Sequence, residues 1–235
     1  MAEKNPVAVV TGVGPGTGAA IARRFALGGY AVAMLARNRE RLTALERDIR
    51  NSHAYPCDVT DEAQLDAAFD AIRGELGAPK VLVHNAVGGA FGNFMEIDPK
   101  VLNQNFQVNT MALLYLARRL APAMVAAGEG AIIASGNTSA LRGKASFAGF
   151  APTKAAQRIL AESMARELGP KGVHVAYVLI DAVIDLEWTR KRFPDASNEF
   201  FIRPAAIAEE IWHVAHQDRC AWSFNVEVRP FRETW

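Results

Sequence analysis

Short apolar runs alternate with longer segments of helical periodicity along the chain. Val7 to Val10, Ala31 to Ala36, Val81 to His84, Ala131 to Ala134 and Val173 to Ile180 are rich in Val, Ile, Leu and Ala, the pattern of strands buried on both faces of a parallel sheet. Between them Thr17 to Leu27, Arg39 to Arg50, Glu62 to Leu76, Pro99 to Ala127 and Phe147 to Leu168 carry helical spacing. His53 to Cys57 adds a strand, and Ala205 to His216 followed by Ala221 to Arg229 adds a last helix and strand. Such alternation calls for right-handed crossovers, so the chain is predicted to form a doubly wound α/β fold. Its sheet is seven-stranded and mostly parallel, with helices on both faces. No linker, low-complexity tract or repeat interrupts the alternation, which predicts a single domain over residues 1–235. The Trp235 end is expected to pack either on the body or on a partner.

Composition narrows the partners. Half the residues are hydrophobic and 22% are charged, as in an ordinary folded domain. The 26 basic and 25 acidic side chains are spread along the sequence for a net charge of +1, which gives no basic face for nucleic acid or an anionic membrane. Cys57 and Cys220 lack metal-ligand spacing, so neither a disulfide framework nor a metal site is expected and a cytoplasmic compartment fits. The start, Met1 to Pro6, is too short and polar for a secretory signal. The most apolar helical segment, Met111 to Ala127, is broken by Arg118, Arg119 and Pro122 and does not read as a membrane span.

The first strand runs into Thr11-Gly12-Val13-Gly14-Pro15-Gly16-Thr17-Gly18 and then directly into an amphipathic helix. Glycines at a helix N-terminus permit a sharp turn at Gly12 and close backbone approach at Gly16. Gly18 allows tight helix–strand packing. The exposed N–H groups around Thr17 and the helix dipole favour phosphate, so the turn reads as a dinucleotide-binding turn rather than a plain connection.

At these residues the chain resembles the short-chain dehydrogenase/reductase family, whose Thr-Gly-x-x-x-Gly-x-Gly turn matches Thr11, Gly12, Gly16 and Gly18. The resemblance extends to the last strand and implies a Rossmann-type fold. Asp58-Val59 is similar to the family's adenine-contacting pair, His84-Asn85-Ala86-Val87 to its Asn-Asn-Ala-Gly, and Asn109 to its structural and catalytic asparagine. By that likeness Asp58, Val59, Asn85 and Ala86 join the cofactor-binding set. At the end of the second strand, where an NAD site normally carries a carboxylate, stands Ala36-Arg37-Asn38-Arg39. Arg37 is placed to bond a ribose 2′-phosphate, which favours NADP(H) over NAD; the other reading makes Arg37 and Arg39 a solvated helix start.

The reacting end departs from the family. Its Tyr-x-x-x-Lys pair is matched by Phe150-Ala151-Pro152-Thr153-Lys154, and its serine position by Asn137. Phe150 keeps the ring and has no proton to give, whereas Asn137 can donate to a carbonyl oxygen. Ser135 or Ser139 is a displaced hydroxyl or plain loop structure. Lys154 shares a helical face with Phe150 and is expected to reach the cofactor ribose. After the sixth strand Asp181-Ala182 and Leu186 replace the family's Pro-Gly and Thr, leaving the Ile184 backbone to hold the nicotinamide carboxamide, and Val87 adds bulk where a glycine is usual.

Phe91, Phe94, Phe147, Trp188, Phe193, Phe200 and Phe201 fall in loops at the carboxyl edge of the sheet. They line a pocket for an apolar or aromatic small molecule, or they bury the loops. A substrate loop is placed within about residues 182–203. Asp181 and Asp185 read as loop or cap residues rather than a metal pair. The resemblance also implies a homodimer or homotetramer built on the two long helices. Two functions remain: an NADP(H)-dependent oxidoreductase acting on a carbonyl/alcohol pair through Asn109, Asn137, Phe150 and Lys154, or a catalytically inactive dinucleotide-binding sensor or partner subunit.

Overall fold

The computed structural model describes residues 5–232, so the expectation for Trp235 lies outside the described residues. The chain runs through β1 (Val7–Thr11), α1 (Thr17–Leu27), β2 (Ala31–Ala36), α2 (Arg39–Asp48), β3 (Ser52–Pro56), α3 (Glu62–Glu75) and β4 (Pro79–His84). It continues through α4 (Pro99–Phe106), α5 (Ala112–Ala127), β5 (Gly130–Asn137), α6 (Ala151–Leu168) and β6 (Val173–Ile180). The last elements are β7 (Val183–Ile184), α7 (Glu187–Arg192), β8 (Phe201–Ile202), α8 (Pro204–Ala215) and β9 (Asn225–Val228).

Seven strands form one sheet in the order β3-β2-β1-β4-β5-β6-β9, with every neighbour parallel. The apolar runs dictate this arrangement, since Val9, Leu35, Leu82 and Ile132 are buried against one helical layer and Val10, Met34, Val83 and Ile133 against the other. Leu65 and Phe69 of α3, Leu113 and Leu116 of α5, and Ala161 of α6 cover the first face. Ile21 and Phe25 of α1, Leu42 of α2, and Ile207 and Ile211 of α8 cover the second. Each such large side chain contributes about 1.5–3 kcal/mol on burial. Strand order reverses between β1 and β4, so the loops leaving these two strands part and open a crevice at their carboxyl ends.

Some predicted boundaries move, each for a local reason. The long helix from Pro99 passes through a π-helical turn, Gln107–Met111, before α5 begins. The strand predicted to end at Ala134 pairs with β6 as far as Asn137. The helix predicted from Phe147 starts at Ala151, because Phe150 is its N-cap with φ −127° and Pro152 lies in its first turn. The last strand starts at Asn225 rather than Ala221, after a short 3-10 turn at Arg219–Ala221. Among the described residues no helix is long and apolar enough to cross a membrane.

Candidate functional site

The switch-point crevice is assembled from the loops after β1 and β4. Gly12 has φ +67°, and a β-carbon there would come within 2.5 Å of Ala86 Cα, so the two loops touch only because residue 12 has no side chain. At Gly18 a β-carbon would come within 2.5 Å of the Gly12 carbonyl oxygen. α1 begins after Gly16 with no side-chain cap and no acidic residue in its first turn. The first backbone bonds at this end run from the Ala19 N–H to the Gly14 carbonyl and from the Ala20 N–H to that of Gly16, both ahead of the helix. The Thr17 and Gly18 N–H groups are thereby left at the positive end of the helix dipole, a donor set that suits an anion such as a diphosphate. A β-carbon at Gly16 would collide with the Leu186 side chain, so the loop after β6 rests on this same turn.

A closed ring of buried polar groups lies beneath the crevice. The Asn85 and Ala86 N–H groups donate to Thr11 Oγ1 at 3.2 and 3.3 Å, and Thr11 Oγ1 lies 3.0 Å from His84 Nδ1. Since His84 Nε2 faces the Val108 carbonyl at 3.2 Å, it must carry the ring proton and Nδ1 must accept from Thr11. His84 is fully buried, and burial followed by the nearby Lys154 charge pushes its pKa down to about 3, which keeps the imidazole neutral. Asn85 donates to the Gly12 carbonyl at 3.2 Å and accepts from Ser135 Oγ at 3.2 Å.

Lys154 closes the ring. Only 2% exposed, it donates to the Ser135 carbonyl at 3.0 Å and to Gln157 Oε1 at 2.6 Å. Gln157 Nε2 donates in turn to the Asn109 carbonyl at 2.6 Å, and the Tyr177 hydroxyl donates to Gln157 Oε1 at 3.2 Å. No carboxylate of the described residues bonds the ammonium, and burial lowers the Lys154 pKa to about 7.

The predicted reacting residues gather around this ring. Asn109, in the π-helical turn, exchanges two bonds with the Gly88 backbone and donates to Thr153 Oγ1 at 2.8 Å. Asn137 accepts from the Ser139 N–H at 3.1 Å, while its carboxamide nitrogen bonds to none of the described residues. The Phe150 ring is buried against Phe91, with centroids 5.7 Å apart, and its backbone carbonyl accepts from Thr153 Oγ1. Lys154 is aimed into the core, with two of its three N–H groups bonded there.

The predicted cofactor residues divide. Arg37 is exposed at the end of β2 and makes no ion pair with any described residue, while neighbouring Asn38 caps α2 by accepting from the Arg41 N–H. One Asp58 carboxylate oxygen is used inside its own loop, accepting from the Thr60 N–H and hydroxyl, and Val59 is buried beside it. The Ile184 carbonyl accepts from Thr189 Oγ1 at 2.6 Å, and Val87 is solvent-exposed. Asp185 forms a two-bond pair with Arg190, and Asp181 accepts from Thr138 Oγ1, so both serve loop structure. Both readings of the aromatic loops hold in part. Phe193, Phe200 and Phe201 pack on one another in the β7–β8 region, whereas Phe91, Phe94 and Trp188 remain exposed.

Sequence reasoning missed His84, Gln157 and Tyr177 as partners of the site. For Gln157 a signal existed, since it lies three residues after Lys154 and so on the same inward face of α6. His84 stands where the family resemblance places an asparagine, a departure that marked the position without revealing its bonds.

Comparison with known proteins agrees with this geometry. Residues 6–192 match the short chain dehydrogenase family. A metagenomic short-chain oxidoreductase solved in complex with NADP is 31% identical, with 97% of this chain and 98% of that one covered at a TM-score of 0.84. A short chain oxidoreductase from Pseudomonas aeruginosa PAO1, described as containing an atypical catalytic center and solved with NADPH bound, is 26% identical. In that case 98% of this chain and 99% of that one are covered, with a TM-score of 0.88. A 3alpha-hydroxysteroid dehydrogenase of Mediterraneibacter gnavus is 30% identical over 73% of this chain and 71% of its own length. A glycine turn at an uncapped helix, a parallel sheet with its switch point at that turn, and a family match over most of the sequence agree: the chain belongs to the short-chain dehydrogenase/reductase family.

Proposed function

We propose that this protein is an NADP(H)-dependent oxidoreductase that interconverts a carbonyl and an alcohol through an atypical active site. The observation that carries the reading is the glycine turn, where the Thr17 and Gly18 amides donate to none of the described residues at the N-terminus of α1, close to the Asn85-Ala86 loop. In this reading Gly12, Gly16, Thr17 and Gly18 hold the diphosphate, Asp58 and Val59 border the adenine, and Asn85 and Ala86 border the nicotinamide ribose. Arg37, exposed and without a carboxylate partner among the described residues, bonds the 2′-phosphate. Two solved relatives bound to NADP or NADPH support that choice.

The bound nicotinamide supplies the hydride equivalent. The chain's part is to hold the carbonyl oxygen and the groove around it. The Asn137 carboxamide nitrogen is the donor for that oxygen. Lys154 has a third N–H not spent on Ser135 or Gln157, and it contributes positive charge beneath the groove. Asn109 ties the Gly88 backbone to Thr153 and so fixes the wall on which Phe150 sits. Phe150 packs without donating, and the proton that completes the alcohol comes from water. Loss of a positioned acid costs about 10²–10⁴ in rate, so turnover is slow. The relative described as having an atypical catalytic center lends the departure support.

The substrate loop lies within about residues 182–203, the whole chain forms one domain, and copies associate through α5 and α6, where Ile159 is left 60% exposed. The test follows NADPH absorbance with a panel of apolar ketones and aldehydes. We expect slow turnover that Asn137→Ala abolishes and Phe150→Tyr raises. No turnover by the native chain, with activity only in Phe150→Tyr, would overturn the enzyme reading and leave a binding protein.

A further inference from the structure

A second concavity lies beside the crevice. The loop from Ser139 to Ala148 stands off the first turns of α6 and borders, with Asn93 and Phe94, an open cavity of about 670 Å³. That volume is within the range of small-molecule sites. Phe94, Leu141 and Phe147 supply apolar wall, and Ala151 and Ala155 supply a floor of small side chains. Two cations, Arg142 and Lys144, line it, and among the described residues no carboxylate does. The Lys144 ammonium pairs with no carboxylate among the described residues, whereas Arg142 is 3.9 Å from Asp181. Two positive charges against one nearby negative charge leave the cavity with a single uncompensated positive charge.

Two further features mark the wall as more than a surface loop. Ser139 lines the cavity, and its hydroxyl, which is not sealed from solvent, bonds to none of the described residues. A hydroxyl that faces the cavity with its donor unspent can bond an acceptor placed there. Ser146 has φ +65°, a left-handed backbone that a serine adopts at a cost. It is held there because its carbonyl accepts from the Gly92 N–H at 2.9 Å, next to the bridge between Gly92 and Phe147.

We propose that this cavity binds an apolar monocarboxylate, with the carboxylate at Arg142, Lys144 and Ser139 and the apolar body against Phe94, Leu141 and Phe147. A planar guanidinium matches a carboxylate in two parallel bonds, and one surplus charge suits a monoanion. The cavity adjoins the reacting end through two contacts. Ser139 N–H donates to Asn137, and Phe147 touches the Phe91 ring that packs on Phe150. That the bound acid is the substrate, presenting its carbonyl or alcohol toward Asn137, rests on the oxidoreductase reading above. That it binds does not.

Calorimetric titration of the full chain with 4-phenylbutyrate and with its neutral analogue 4-phenylbutan-1-ol tests the assignment, alongside a separate NADPH titration. The acid should bind at least about tenfold more tightly than the alcohol, as charge-assisted bonds demand. Arg142→Ala/Lys144→Ala should erase the difference while leaving NADPH affinity unchanged. Lys144→Glu should do the same by reversing one charge. Equal affinity for acid and alcohol, binding of neither, or a preference that survives the double variant would overturn the proposal. NADPH binding with no acid preference refutes this site alone. Acid preference without NADPH binding refutes the cofactor reading and leaves the site standing.

Discussion

Lys154 carries its charge into the core with carbonyl oxygens around it and no carboxylate of the described residues bonded to it. Its folded pKa of about 7 lies below the ordinary lysine value of 10.5, so between those values the unfolded chain binds the extra proton. Stability should therefore rise as pH climbs from about 7 toward 10.5, by up to roughly 1.4 kcal/mol per pH unit. Lys154→Met should flatten that slope in urea unfolding measured across the alkaline range. Gln157 is the residue that makes the buried ammonium tolerable. Gln157→Leu removes an acceptor from Lys154 and a donor from the Asn109 carbonyl and should cost about 3 kcal/mol. Gln157→Glu keeps an acceptor facing Lys154 and should raise the lysine pKa, which amine-reactivity profiles against pH would register. The sequence showed Lys154 as a family-like lysine and could not show its inward aim, because that depends on side chains brought from β4, β5, β6 and the π-helical turn.

The types of the main helices and of the seven sheet strands were readable from periodicity, and α1 from Thr17 to Leu27 was delimited on both sides by glycine, whereas β7, α7 and β8 fall in a stretch read only as a substrate loop. The π-helical turn was not readable either, since Gln107–Met111 has no composition that separates it from the helix around it. Its function in the fold is positional, as it turns the Asn109 side chain toward Gly88 and Thr153 while the Asn109 carbonyl meets Gln157. Gly12 is the element-level constraint most exposed to test. In Gly12→Ala the new β-carbon would meet the Ala86 backbone at a φ of +67°, so the β1 and β4 loops must separate. Dinucleotide affinity should fall by about a hundredfold or more, with a lowered melting temperature; an unchanged affinity would mean the two loops do not form one site. The loop from β7 to β8 is held by the Asp185–Arg190 pair and by Arg190 lying 4.1 Å above the Phe201 ring. Arg190→Ala should speed proteolytic cleavage within residues 183–202, as read by mass spectrometry.

At the scale of the whole molecule, a seven-stranded parallel sheet with helices on both faces followed from the alternation, because right-handed crossovers leave few topologies, whereas the strand order and the switch point came from the structure. What the alternation could not supply was the chemistry of the reacting end. Phe150 and Asn137 were visible as departures, yet the ring through Thr11, His84, Ser135, Lys154 and Gln157 exists only once β1, β4, β5, α6 and the π-helical turn meet. An association through α5 and α6 predicts a sedimenting species larger than one chain that Ile159→Lys shifts toward the monomer, Ile159 being exposed on α6. The most direct test of the central claim is a titration of the purified chain with NADPH and NADH, read by nicotinamide fluorescence. The account predicts saturable binding, about tenfold or more tighter for NADPH, with the preference lost in Arg37→Ala; failure of both dinucleotides to bind would contradict it.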